Sequence, residues 1–367
     1  MQPPERAGRG ALLAAAAAVA IAAALAAILL LLGGYDPVAA AAALVRGAAG
    51  SGSAFVSVTL VRSVPLVLTG LAVAWAFRAG VWNIGAEGQL YAGAIAAAWV
   101  GLAGWDAPRW LLVPAVLAAA AAGGALWALV PALMRLRLGV GEVITTIVMN
   151  FVAIHLTSYV VRGPLQEPRG VFPQTDQVAD AARLPALIPG TRLHVGFALA
   201  VGLALALSFV LARTRLGFRL RALGASPAAA AVAGRIDTGR TALVAFLGSG
   251  ALAGLAGGVE VAGLTFALYE GLSPGWGYTA IAVALLAGLD PLWVLASGTL
   301  FGALEAGAGA MQREAGIPAV WVIAVEAILI LAVLAVDQVR RSAGGRARGP
   351  LEPLADLPGG EAADVRG

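Results

Sequence analysis

No lysine and no cysteine occur among these 367 residues, and histidine occurs only twice. Each absence removes a chemistry. Without cysteine there is no disulfide, no thiol nucleophile and no Cys-ligated metal. His155 and His194 stand far apart in the chain, and a zinc site needs several converging ligands. A P-loop requires the lysine of G-x-x-x-x-G-K-[ST], so this chain has no such nucleotide site. Energy drawn from ATP would have to enter through another polypeptide. No H-E-x-x-H motif is present either. The expectation is a chain that is not an enzyme, with no cofactor and no metal of its own.

Charge is also scarce. Charged residues make up 12% of the chain and hydrophobic ones 60%, against about 25% charged in soluble domains. Uncharged runs near 20 residues are long enough to cross a bilayer as helices. Apolar windows fall at about 11–32, 54–77, 86–103, 110–133, 142–161, 194–212, 242–264, 276–289, 291–311 and 318–337. The expected fold is therefore an all-α polytopic membrane protein of about ten transmembrane helices, some short or broken. The first window exceeds the roughly 15 apolar residues of a signal peptide and is read as a retained span. The lipid bilayer is the expected environment, and nucleic acid is not an expected partner despite the net charge of +4.

All 24 basic residues are arginine, and they orient the chain. With the N-terminus inside, cytoplasmic segments carry 16 of them and external segments seven, Arg62 lying within a span. That bias obeys the positive-inside rule, so both termini are expected in the cytoplasm. Residues 1–10 then form an N-terminal tail, 11–337 the membrane domain, and 338–367 a Gly-, Pro- and charge-rich tail expected to be disordered. Within the domain, residues 162–193 form a Pro-rich external loop, a structured cap or docking surface. Residues 213–241 form a basic cytoplasmic segment that ends in a short Ala-rich helix, with Ser226 as N-cap and Pro227 in the first turn.

Gly250, Gly254 and Gly258 recur at four-residue spacing, as do Gly298 and Gly302. Such spacing lets helix backbones approach closely. Two polar, Gly-rich stretches interrupt the apolar pattern. G-V-W-N-I-G-A-E-G-Q, from Gly80 to Gln89, launches one span, and Y-E-G-L-S-P-G-W-G-Y, from Tyr269 to Tyr278, launches another from the opposite side. Inverted repeats with broken helices produce this arrangement, as does coincidence in a Gly-rich chain.

Polar groups inside or beside the spans include Arg62, Asn83, Glu87, Gln89, Glu142, Asn150, Glu260, Glu305 and Glu326. Ionisable groups at membrane depth usually face a bundle interior or a wet path. Asn83 and Glu87 suit either the start of a helix, as cap and first-turn acid, or a solute path. Glu142 has the same two roles open to it. Glu305 and Glu326 are expected to find a hydroxyl, backbone or arginine partner.

G-V-W-N-I-G-A-E-G-Q-L-Y-A-G resembles a signature of ABC-transporter permeases for simple sugars and nucleosides, relatives of ribose and branched-chain amino-acid permeases. G-E-V-I-T-T-I-V-M-N-F from Gly141, L-R-A-L-G-A-S-P-A-A-A from Leu220, E-G-L-S-P-G-W-G-Y-T-A-I-A-V-A-L-L from Glu270 and G-A-M-Q-R-E-A-G-I-P from Gly309 extend the likeness in order. The resemblance implies a permease subunit of a bacterial plasma-membrane importer for a nucleoside or related sugar. Its implied partners are a second permease, two cytoplasmic ABC ATPases that bind the ATP, and an extracytoplasmic solute-binding lipoprotein. It implies a coupling helix around Arg221, Gly224, Ser226, Pro227, Ala229 and Gly234, docking on the ATPase. It also raises Asn83, Glu87, Gln89, Asn150, Ser273 and Tyr278 as candidates for the translocation path. An ion-coupled secondary transporter is the rival reading, since it too would hold intramembrane carboxylates and inverted repeats.

Overall fold

The computed structural model describes residue 17, residues 20–103, 107–233 and 236–318, and residues 320–325, 327–328, 330–332 and 335–336. Both expected tails lie outside the described residues, as do Gly234 and Glu326. The chain forms two units by contact, one joining residues up to Ala26 with those from Ile328, the other Ala27–Ala327. The described residues of the first unit are helical. The helices Ala20–Leu32 and Val320–Ala332 run from one unit into the other, and every site described lies in the second.

Thirteen helices are described: α1 Ala20–Leu32, α2 Pro37–Ala49, α3 Gly52–Arg78, α4 Ala86–Leu102, α5 Arg109–Leu138, α6 Glu142–Arg162, α7 Gly196–Arg213, α8 Arg215–Ala225, α9 Pro227–Ala233, α10 Thr238–Thr265, α11 Trp276–Leu286, α12 Pro291–Glu314 and α13 Val320–Ala332. Among the described residues there is no sheet, only two isolated bridges. Helices satisfy their own backbone polar groups, which hydrocarbon cannot do for them.

Six helices, α3, α5, α6, α7, α10 and α12, are long and apolar enough to cross a membrane, or up to seven spans if α1 and α2 count as one bent pair. That is fewer than the ten expected windows, although each window contains helix. For two of the missing spans the cause is physical. The 17 residues of α4 and 11 of α11 rise about 25 Å and 16 Å, because the breaks before them consume chain that a full span would use. Helix α2 was not expected at all. Its signal is Asp36–Pro37, an N-cap whose carboxylate accepts from Val38 N at 2.8 Å followed by proline at the first position.

The glycine spacing serves packing. Helix α10 packs against both α4 and α5, which also pack against each other. A Cβ at Gly250 would sit 2.5 Å from Gly124 O, and one at Gly254 2.9 Å from the Gly124 backbone. On the adjoining face, a Cβ at Gly257 would lie 2.9 Å from Ala94 N. Gly302 performs the same service between α12 and α3, 2.8 Å from Ser63 N.

The connection from Gly163 to Val195 is held by hydrogen bonds to the rest of the fold. Thr175 N donates to Leu268 O at 2.8 Å, Val178 N to Phe266 O at 2.8 Å and Leu184 N to Ala262 O at 2.8 Å, stitching the loop to the end of α10. Arg183 lies 4.8 Å over the Phe266 ring. Helix α7 starts at Gly196 and not at 194, which leaves His194 in the loop, buried against Gly263 and Gly196. Burial pushes the His194 imidazole down to about 4.

Candidate functional site

Both polar stretches are breaks in the helical pattern. The first, Ala79–Gly85, turns at Gly80 with φ +69°. The second, Phe266–Gly275, bends through Phe266 at φ 56°, Gly271 at +77° and Gly275 at +107°. The first lies on the side of α8, where a Cβ at Gly80 would meet Gly224 Cα at 3.2 Å. The second lies on the side of the 163–195 loop, with Glu270 N donating to Pro173 O at 3.1 Å. Irregular backbone at membrane depth persists only where protein or a wet cavity surrounds it.

Within the first break, Asn83 uses every polar valence it has. Its Nδ2 donates to Gln89 Oε1 at 3.0 Å and Ser249 Oγ at 2.9 Å, while its Oδ1 accepts from Gly85 N and Gln89 Nε2, both at 3.0 Å. Ser249 in turn donates to Ala72 O at 2.8 Å. Asn83 therefore ties α3, α4 and α10 together and is not a side-chain cap of α4, whose N-cap is Gly85. Asn150 does similar work from α6, accepting from Gly88 N at 2.8 Å and donating to Ile84 O at 2.9 Å. All three amides are buried.

Glu87 occupies the first turn of α4, as expected, but its carboxylate serves another helix. Oε2 accepts from Gly277 N in the first turn of α11 at 2.6 Å. A Cβ on Gly277 would collide with the Glu87 backbone, so only glycine permits this approach. Two helices that start from opposite sides thus meet by their N-terminal turns. Tyr91 reinforces the junction, its hydroxyl accepting from Ser273 N at 3.1 Å and donating to Ser273 O at 3.3 Å. Gly271–Gly275 reads G-L-S-P-G, the letters of a nucleophile elbow. Ser273 Oγ, however, accepts from Gly275 N at 3.1 Å and Trp276 N at 3.0 Å, capping α11, and no histidine is among its partners. Tyr278, unlike the buried amides, is 39% exposed, and it neighbours Asn150.

Sequence reasoning placed neither Ser249 nor Tyr91 in the site. Tyr91 sits in the same polar block, two residues past Gln89, whereas Ser249 is one hydroxyl in an apolar helix and carries no local signal. Glu305 finds an arginine, as expected: Arg62 Nη1 lies 3.8 Å from its carboxylate, and Trp276 Nε1 donates to it at 2.9 Å. Glu142 accepts from Arg135 Nη1 at 2.8 Å. Outside the spans, Ser158 and Arg162 hold the Glu270 carboxyl below its usual range.

The segment after α7 is two short helices. Thr214 Oγ1 accepts from Gly217 N at 3.1 Å to start α8, and Ser226 Oγ accepts from Ala229 N at 3.3 Å to start α9. The expected Ser226 cap is present. Leu220 and Leu223 are buried beneath α8, and a Cβ at Gly224 would collide with Arg78 O and lie 3.0 Å from Gly80 N. Pro227 and Ala229 are exposed, and Val232 is 85% exposed. Arg221 is half-buried.

This is a multi-pass helical membrane protein whose interior is organised around two interrupted helices braced at their N-termini. The chain belongs to the branched-chain amino acid transport system / permease component family, whose pattern it matches over residues 55–334. It is the permease of an ABC transport system and not the ATPase. It is 37% identical to the glucose ABC transporter permease protein TsgB13 of Haloferax volcanii, over 83% of this chain and 82% of that one. It is 37% identical to the guanosine ABC transporter permease protein NupP of Bacillus subtilis, over 78% and 82%, and 32% identical to the nucleoside ABC transporter permease protein NupB of Lactococcus lactis, over 71% and 73%. No solved structure matches the chain.

Proposed function

We propose that this chain carries a nucleoside or related sugar inward across the plasma membrane, as one of two permease subunits in an ABC importer. Two cytoplasmic ATPases would bind and hydrolyse the ATP, and an extracytoplasmic binding protein would deliver solute to the 162–193 loop. The relatives named for guanosine, nucleosides and glucose support this substrate class. The membrane is the bacterial plasma membrane, a reading that the Bacillus subtilis and Lactococcus lactis relatives support. The topology is ten spans with both termini inside, α4 and α11 being the short, interrupted ones of an inverted pair.

The observation that carries the mechanism is the Gly224 contact. Helices α8 and α9 form the coupling element, with exposed Pro227, Ala229 and Val232 facing the ATPase. Gly224 rests on the Arg78–Gly80 turn, that turn leads into α4, and α4 holds α11 through Glu87 and Gly277. Motion of the coupling element would therefore reach both breaks through a chain of direct contacts, one of them the Glu87 side chain. In this reading Asn83, Gln89 and Asn150 brace the breaks, Glu87 and Ser273 lock their junction, and Tyr278 faces the solute.

Arg221→Glu combined with Ala229→Pro tests the coupling element. In vesicles containing both permeases and the ATPases, ATP hydrolysis should persist while uptake falls at least about tenfold, a loss of about 1.4 kcal/mol in coupling. Normal uptake would sink the assignment. A buried carboxylate at Glu260 keeps an ion-coupled reading testable in the same vesicles: uptake abolished by a protonophore and indifferent to ATP would replace the ABC mechanism.

A further inference from the structure

A cavity of about 610 Å³ lies beside the second break, between α3, α10 and α12. Its volume falls within the ~300–1,000 Å³ of small-molecule sites. The second break itself gives it Tyr269, Gly271, Leu272 and Pro274, and α11 gives it Trp276. Its floor holds Glu260, 4% exposed, and Glu305. Among the described residues the Glu260 carboxylate makes no hydrogen bond and no ion pair; its charged neighbours are Glu305 and Arg62. A carboxylate at membrane depth with no partner is costly to keep.

The backbone is unusual at the same place. Both π-helical turns described in the chain, Phe55–Thr59 in α3 and Val261–Thr265 in α10, contribute to the wall through Ser57 and Thr265. Such turns occur often at functional sites, and the second begins immediately after Glu260.

The lining selects a ligand class. Arg62 is committed to Glu305 at 3.8 Å, while Arg192 and Arg313 are exposed at the edge. An anion reaching the floor would meet the Glu260 carboxylate. A simple cation would have to pass two arginines and settle beside a third. A neutral solute bearing several hydroxyls meets neither penalty. A carboxylate has two acceptor oxygens for two adjacent hydroxyl donors, and the Tyr269 and Trp276 rings offer apolar surface to the face of a ring.

We propose that this cavity is a solute-binding site within a single permease subunit, taking a neutral polyhydroxylated ring such as a pentose or hexose, with Glu260 accepting from two neighbouring hydroxyls. The inference rests on the chain being a sugar- or nucleoside-type permease, and it adds where in the subunit such a solute is held.

The natural absence of cysteine makes the test direct. In the full chain reconstituted in lipid nanodiscs, Ser57→Cys supplies the sole thiol, at the cavity wall. Its rate of reaction with a water-soluble maleimide is measured with and without guanosine or D-glucose. Saturating amounts of at least one of these should slow the reaction at least about tenfold, and Glu260→Gln should reduce that protection to less than about twofold while the melting temperature stays unchanged. Absence of protection by both solutes overturns the site, whether or not the Glu260 variant folds. So does protection that requires only sodium ions. Protection that survives in folded Glu260→Gln overturns the role given to Glu260. Uptake in vesicles with the ATPases separates the two readings. ATP-driven uptake without cavity protection sinks the site alone, and protection without ATP-driven uptake sinks the importer reading alone.

Discussion

Gly277 N is one of the donors that open α11 without a partner inside that helix, and Glu87 meets it from α4 at 2.6 Å. A carboxylate near a helix N-terminus also interacts favourably with the helix dipole. Glu87→Ala leaves the buried donor unmatched and should cost about 1–3 kcal/mol, read as a lower melting temperature of the detergent-solubilised chain. Glu87→Gln keeps an acceptor and should stay within about 1 kcal/mol of the parent. Equal losses in both variants would show that charge, and not the hydrogen bond, holds the junction. His194 makes a separate prediction. Its folded pKa of about 4 lies below the ordinary 6.5, so the unfolded chain binds the proton more readily. The sign follows from linkage: stability is full above pH 6.5 and declines as pH falls towards 4, by about 2 kcal/mol at pH 5. Melting at pH 7.5 and pH 5 should show that drop, and His194→Phe should remove this part of it.

Helix seams make sharper demands than single hydrogen bonds. Gly254 presses on the Ala120 and Gly124 backbone of α5, and a leucine there has no rotamer that avoids the neighbouring helix. Gly254→Leu should cost about 3 kcal/mol, the upper end of the usual overpacking penalty, and abolish a monodisperse peak in size-exclusion chromatography. Gly202→Leu is the control, since nothing lies within 4 Å of a Cβ on that face of α7. Folding of both variants would mean that α10 and α5 do not pack through glycine. The four-residue glycine spacing made this seam legible in the sequence, because close helix approach has few other solutions. The breaks were legible for a related reason: polar groups in an apolar run need partners, and Asn83, Glu87 and Ser273 advertise that need. Their partners were not legible. Glu87 meets Gly277, 190 positions away, and Asn83 meets Ser249, 166 away; no local pattern encodes such pairings. Helix length was not legible either, since hydropathy registers an apolar window but not where a break shortens the helix within it.

Orientation joins these pieces into one mechanism, because a coupling element works only on the ATPase side. The 163–195 loop and the α8–α9 segment lie at opposite ends of α7. In the proposed topology the arginine bias of 16 against seven would put the segment in the cytoplasm, and the first break, in contact with Gly224, would lie on that same side. The second break, stitched to the loop through Pro173 and Leu268, would then face outward, where a delivered solute would arrive. Single cysteines report this directly in a chain that has none. Ile188→Cys, exposed in the loop, should react with a membrane-impermeant maleimide in intact cells. Ala229→Cys, exposed on α9, should react only after the cells are permeabilised. The reverse pattern would turn the molecule over, put α9 out of reach of any cytoplasmic ATPase and remove the basis of the coupling mechanism, while leaving the packing of the breaks as it stands.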